Sequence, residues 1–232
     1  MIIRILKDIK LMTEHLLWPQ ACPICGRATV SFCPKCLASV VNAVPPFCLE
    51  CGGKYGAHCC KNSVPCFASS IHDGAAREFI LKLKYHNVKS IGISLGRLMA
   101  KENNPSSADL IVPIPLHGNT SREYNQSTLL ATGISEEYQI KCDESILFWS
   151  NNRPKQTERY GLQRASMPLN ALTAIPKLNN KKIILVDDVY TTGGTLRSAK
   201  AAIEKQGGKV VSAMLWSRRI TSIENEATWE NF

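Results

Sequence analysis

Long apolar runs are missing from this chain of 232 residues. No stretch of about 18 uncharged apolar residues occurs, so no membrane-crossing helix is expected. The opening segment MIIRILKDIKLMTEHLLWPQ lacks the unbroken apolar stretch of a secretory signal, because Arg4, Lys7, Asp8, Lys10 and Glu14 interrupt it. Acidic residues are few: 19 stand against 28 Lys and Arg, a net charge of +9. That surplus points to an anionic partner but does not choose between nucleic acid, membrane and phosphorylated metabolites. No glycine-rich loop ends in GK[ST], which excludes Walker-type nucleotide binding. Nothing in the sequence reads as a nucleobase pocket, and no internal repeat exists beyond a doubled cysteine pattern. The apolar content of 44% is enough for a sizeable core and argues against global disorder.

Cysteine, by contrast, is abundant and uneven. Nine of the ten cysteines lie between residues 22 and 66. They open with CPIC at 22–25 and CPKC at 33–36, then CLEC at 48–51, followed by Cys59, Cys60 and Cys66. Two C-x-x-C pairs seven residues apart supply four thiolates to one tetrahedral metal, so Cys22, Cys25, Cys33 and Cys36 are expected to hold zinc. For a second zinc, Cys48 and Cys51 are the clear half. His58, Cys59, Cys60 and Cys66 compete for the other two positions; Cys59 with Cys60 is favoured and Cys66 stays open. Gly26 follows the first pair, and Gly52 and Gly53 the third, where small residues let amides turn toward sulfur. Sites closed by four protein ligands are structural, and they fold segments too small to hold themselves together. The chain is expected to be cytosolic, where disulfides are the weaker reading. Cys142 stands alone and reads as core.

Three segments are expected: an amphipathic helix over 1–20, a double zinc-knuckle module over 21–67, and an α/β domain over 68–232. In the first, Ile2, Ile5, Ile9, Met12 and Leu16 recur at helical spacing. In the third, AAREFILKLKY at 75–85 and IGISLGRLMAK at 91–101 read as helices, DLIVPIP as a strand and REYNQSTLLATGI as a helix. A strand is expected at 145–149, then a long polar segment over 150–180, the kind of loop that often carries function. KKIILVDDV reads as a strand, TLRSAKAAIEKQGG as a helix stopped by Gly207 and Gly208, and KVVSAMLWS as a last strand. Strands alternating with helices predict a parallel sheet with helices on both faces. Residues 151–220 hold 13 Lys and Arg against four Asp and Glu, a surplus of nine equal to that of the whole chain. Anion binding is therefore expected in the second half.

The stretch IILVDDVYTTGGTL at 183–196 carries the sharpest signal. Ile183 to Val186 have no polar face, as in a strand buried on both sides of a parallel sheet. Ligands bind at the carboxyl ends of such strands, where Asp187 and Asp188 stand. The turn after them leads into a helix whose first amides form a phosphate cradle. Glycines permit close approach and threonine hydroxyls add donors. Two acceptors for a vicinal diol, one sugar away from a phosphate nest, describe a ribose-5-phosphate binder. The expected binding stretch is Asp187, Asp188, Val189, Tyr190, Thr191, Thr192, Gly193, Gly194 and Thr195.

This stretch resembles the phosphoribosyl pyrophosphate (PRPP) motif of type I phosphoribosyltransferases. By that resemblance Asp187 and Asp188 face the ribose hydroxyls and Thr191 to Thr195 hold the 5-phosphate. A cysteine module followed by LKLKY at 81–85, VPIPL at 112–116, REYNQ at 122–126 and the PRPP motif resembles the ComF family of competence proteins over about residues 20–220. Arg122, Asn125 and Gln126 match the family's RGFNQ block, while Glu123 and Tyr124 depart from it. The resemblance implies a phosphoribosyltransferase-like fold, magnesium with PRPP, and a loop through Pro113 and Pro115 that meets pyrophosphate. Lys84, Arg122, Arg153, Lys155, Arg159 and Arg164 are candidates for the charge on the departing diphosphate, with Asp187, Asp188, Arg153 and Lys155 expected to carry catalysis if turnover occurs. It also implies handling of incoming single-stranded DNA in natural transformation, with a helicase or other competence protein as a further partner. Phe32, Phe47, Tyr55 and Phe67 are either stacking platforms or core. The alternative is a salvage enzyme transferring ribose-5-phosphate to an unknown acceptor.

Overall fold

The computed structural model describes residues 13, 22, 25–28, 33–42, 44–85, 89–103, 107–117, 123–150 and 168–220. The expected helix over 1–20 lies outside them apart from Thr13. In chain order the elements are α1 (Pro34–Val40), β1 (Val44–Cys48), β2 (Pro65–Ile71), α2 (Gly74–Tyr85), α3 (Lys89–Glu102), β3 (Leu110–Pro113), α4 (Gln126–Tyr138), β4 (Leu147–Trp149), β5 (Leu172–Ala174), β6 (Lys182–Tyr190), α5 (Gly194–Lys205) and β7 (Lys209–Arg218).

Five strands form one sheet in the order β1-β2-β7-β6-β3. All neighbours run parallel except β1, which pairs antiparallel with β2 at one edge. The expected parallel sheet thus gains an antiparallel margin. Strand β6 lies between β7 and β3, and its side chains alternate between two cores. Ile183 and Leu185 join Val112, Ala213, Leu196 and Ile203 under α5. Ile184 and Val186 join Phe79, Leu95, Ile134 and Trp216 under α2, α3 and α4. A strand buried on both faces has no polar side to spare, which is why its sequence is a continuous aliphatic run.

Three expectations need correction. Helix α4 begins at Gln126 rather than Arg122, because Asn125 is its N-cap and accepts from the Ser127 amide at 3.1 Å. The segment over 150–180 is not all loop: Leu172–Ala174 pairs antiparallel with Leu147–Trp149 in a small separate sheet. The cysteine segment is also continuous with the sheet. Strand β2 runs through residues 67 and 68, where the module border was expected, and Phe47, Leu49 and Cys66 share a core with Leu185 and Tyr190. Cys142 is half-buried against the core, as expected.

Candidate functional site

Asp187 and Asp188 lie toward the carboxyl end of β6, an interior strand between β7 and β3. The Lys84 ammonium, at the end of α2, pairs with Asp188 Oδ2 at 2.6 Å. Ser127, in the first turn of α4, donates its hydroxyl to Asp187 Oδ1 at 2.9 Å, and the Asp188 amide donates to the same oxygen at 2.9 Å. Burial, and then the charge of Asp188, push the Asp187 carboxyl up to about 7, against the pull of these two donors and Lys84. A buried carboxyl whose ionisation is resisted in this way favours a ligand that donates hydrogen bonds or brings a cation.

The turn follows at once. Thr191 and Thr192 are exposed, while Gly193 and Gly194 are buried. Gly193 is the N-cap of α5 with φ at +72°, a conformation that L side chains rarely adopt. A glycine cap brings no side-chain acceptor of its own to the first-turn amides of the helix. Tyr190, expected in the binding stretch, has its ring buried against Phe47, with centroids 4.7 Å apart. It serves the turn as a wall rather than as an exposed donor.

The loop after β3 begins at buried Pro113, and the Ile114 amide donates to Val186 O at 2.9 Å. Pro115 O accepts from Trp149 Nε1 at 3.0 Å, and His117 lies against the same indole with ring centroids 4.9 Å apart. Asn125 Nδ2 donates to Ile114 O at 2.8 Å. Strand ends β3 and β6 and the start of α4 therefore meet at one edge. Arg122, Arg153, Lys155, Arg159 and Arg164 lie outside the described residues.

His72, just past β2, was not singled out from sequence. Its Nδ1 is 2.8 Å from Ser217 Oγ. Burial, then the nearby charge of Lys84, hold the imidazole below its usual range, so it is neutral at pH 7. Ser127 was also missed, although its place directly after REYNQ is a usable signal.

The cysteines form two clusters. The sulfurs of Cys48, Cys51, Cys59 and Cys60 all lie within 4.8 Å of one another, as do those of Cys22, Cys25 and Cys36. Cys33, expected as the fourth ligand, is not among these three; its sulfur accepts from Arg27 Nη1 at 3.9 Å. The two knuckles repeat one turn. Cys22 and Cys48 amides donate to the carbonyls of Arg27 and Gly53 at 2.7 and 2.8 Å. Gly26 and Gly52 amides donate back to Cys22 and Cys48 carbonyls at 2.9 Å each. Both glycines have left-handed φ, +69° and +73°. Amides also reach sulfur: Glu50 N–H lies 3.3 Å from Cys48 Sγ, and the Cys36 amide draws the Cys33 thiol below its usual range. Amide donors to sulfur favour thiolate, the metal-binding form. Each cluster could hold one metal ion. His58 and Cys66 are in neither cluster; Cys66 is fully buried in β2.

The phosphoribosyl transferase domain family matches residues 84–231, and the chain belongs to that family. Its fold is the type I phosphoribosyltransferase-like one, and its layout, with cysteine clusters ahead of that domain, is that of a ComF-type protein. It is 26% identical over 185 residues to competence protein ComFC of Streptococcus pneumoniae, with 77% of each chain covered. It is 40% identical over 57 residues to the adenine phosphoribosyltransferase of Corynebacterium diphtheriae, covering 25% of this chain and 31% of that one. The chain thus spans about a third of the length of the adenine phosphoribosyltransferases it matches. Among solved structures, the adenine phosphoribosyltransferase of Thermoanaerobacter pseudethanolicus aligns with a TM-score of 0.38 at 16% identity, covering 78% of this chain and 84% of that one. No helix among the described residues is long and apolar enough to cross a membrane.

Proposed function

We propose that this chain binds PRPP at the carboxyl end of β6 and acts on incoming single-stranded DNA in natural transformation. One observation supports the sugar-phosphate part most directly. Paired carboxylates stand among the last residues of an interior strand that ends at Tyr190, and a short glycine turn then leads into the start of a helix at Gly194. On this reading Asp187 and Asp188 accept from the ribose diol, and the amides and hydroxyls of Thr191 to Thr195 hold the 5-phosphate. Lys84, already placed on Asp188, supplies positive charge beside the anomeric centre. The loop through Pro113 and Pro115 faces pyrophosphate, with Arg122, Arg153 and Lys155 as its cationic partners. Magnesium, when bound with PRPP, neutralises diphosphate charge.

The DNA role rests on the likeness to ComFC and on the basic surplus of residues 151–220. Tyr55 is exposed and available for stacking, whereas Phe47 is core and is not. A second reading, a salvage transferase, draws on the match to adenine phosphoribosyltransferases. Titration calorimetry of PRPP with magnesium, with and without a short single-stranded oligonucleotide, separates the two. We expect PRPP binding, and oligonucleotide binding that weakens steeply as salt rises. A folded, metal-loaded protein that ignores PRPP removes the sugar-phosphate reading. One that consumes PRPP with a nucleobase and ignores DNA favours salvage.

Both cysteine clusters suit zinc. Tetrahedral zinc with bonds of about 2.3 Å has sulfur–sulfur edges of about 3.8 Å, and Cys51 and Cys59 sulfurs are 4.0 Å apart. Elemental analysis is expected to return two zinc ions per chain and one in Cys51→Ser/Cys59→Ser. A single ion in the unaltered protein would refute the two-site assignment.

A further inference from the structure

The second cysteine cluster is built against the phosphate turn. Arg197, in the first turn of α5, donates from Nη1 to Leu49 O at 3.3 Å and Glu50 O at 3.4 Å, both inside the Cys48–Cys51 knuckle. One turn further, Lys200 pairs with Glu50 at 2.7 Å. Arg218, buried at the end of β7, donates from Nη2 to Gly52 O at 2.8 Å. Its guanidinium lies 4.2 Å from the Phe47 ring centroid and 5.9 Å from that of Tyr190.

Tyr190 touches both turns. A Cβ added at Gly52 would stand 3.5 Å from Tyr190 Oη. One added at Gly193 would stand 2.8 Å from the same oxygen and 2.9 Å from Arg197 Nη1. Two left-handed glycines, one in the knuckle and one in the phosphate turn, thus pack on one tyrosine, and Arg197 reaches across to both. The carbonyls that accept from the arginines belong to the turn over 48–53, which backbone hydrogen bonds from Cys48 and Gly52 close and whose two sulfurs, of Cys48 and Cys51, cluster with those of Cys59 and Cys60. A metal on these sulfurs would tie the turn to residues 59 and 60 and fix its carbonyls more firmly than the backbone bonds do alone. Without the metal, the buried Arg218 guanidinium and the half-buried one of Arg197 would face less firmly fixed acceptors, which is costly. The first cluster is placed differently: its helix α1 packs through Leu37 and Val40 into the other core, with α2 and α3.

We infer that metal bound by Cys48, Cys51, Cys59 and Cys60 sets the affinity of the sugar-phosphate site, with Arg197 and Arg218 as positioning residues between them. This rests on the PRPP reading above for its ligand, but the coupling is measurable without it. The experiment follows amide hydrogen exchange of residues 191–196, together with PRPP affinity, metal content and melting temperature. Cys51→Ser/Cys59→Ser, with its second metal lost, is expected to exchange at these amides at least about tenfold faster and to bind PRPP about tenfold more weakly. Cys25→Ser, in the first cluster, produces a smaller change at these amides. Arg197→Met keeps two metals yet shows the same local loosening and weaker binding, and Arg197→Lys, which retains a donor, recovers most of the affinity. Arg218→Lys serves if the cysteine variant does not fold. Unchanged exchange at 191–196 in the metal-retaining arginine variants overturns the inference, whatever happens to melting temperature. Failure of the unaltered protein to bind PRPP would remove the functional reading alone, because the exchange result still decides the coupling.

Discussion

Asp187→Asn is expected to raise the melting temperature of the unliganded protein while weakening its sugar-phosphate affinity. Burial, and then the charge of Asp188, push the Asp187 carboxyl up to about 7 in the fold, from an ordinary value of 3.8. Its folded pKa is raised, so the folded state holds a proton that the unfolded chain has released. The stability it contributes is present in full below about pH 4 and is lost as pH rises toward 7. Asparagine keeps an oxygen for the Ser127 hydroxyl and the Asp188 amide but has no charge to bury. At about 1.4 kcal/mol per pKa unit, the gain above pH 7 is at most about 4 kcal/mol. That upper bound corresponds to about 8 to 16 degrees in a chain of this size. Melts from pH 5 to 8 should show the variant's advantage widening up to about pH 7 and then levelling. The same substitution removes a charge-assisted acceptor from the ribose diol, and PRPP affinity should fall between about tenfold and a hundredfold. A variant that is less stable at pH 8 than the unaltered protein would contradict the assignment of Asp187 as a strained carboxyl.

Gly133→Ala is expected to destabilise the fold by about 3 kcal/mol or more, and Gly133→Val to prevent folding. Helices α3 and α4 cross backbone to backbone. A Cβ at Gly133 would sit 2.1 Å from Ile93 O and 2.7 Å from Arg97 N; one at Gly96 would sit 2.0 Å from Leu130 O. No side-chain rotation relieves a clash with main chain, so the helices must separate. Separation would open the core containing Leu95, Leu130 and Ile134 and strain the Arg97–Glu136 pair, at 2.8 Å. It would also move α4, whose first turn holds Asp187 through Ser127 and the Ile114 carbonyl through Asn125. Urea unfolding measures the loss. A midpoint within experimental error of the unaltered protein would show that the helices part at no cost.

The sequence by itself determined the parts whose cause is local. Ile183 to Val186, Asp187, Asp188 and the glycine turn announce a buried strand, its acidic end and a helix start, because each step is written in adjacent residues. The C-x-x-C spacings likewise define knuckles, but the sequence left Cys66 open as a ligand, and only the folded chain groups Cys59 and Cys60 with Cys48 and Cys51. Strands β1 and β2 were not legible. VPPFC carries two prolines, tolerated only because β1 is an edge strand with an irregular register between Val44 and Phe47. PCFASSI lacks alternation because β2 is covered on both faces, and its small hydroxyls are satisfied at a distance, as when Ser70 donates to Trp216 O at 2.8 Å. The meeting of the second knuckle with the phosphate turn belongs to tertiary structure alone. Parallel pairing of β2 with β7 and of β7 with β6 brings Gly52 to Arg218 and Leu49 to Arg197. Those partners are far apart along the chain, and nothing in the residues near either one encodes the other. Only the order of strands in the sheet could join the cysteine cluster to the sugar-phosphate site.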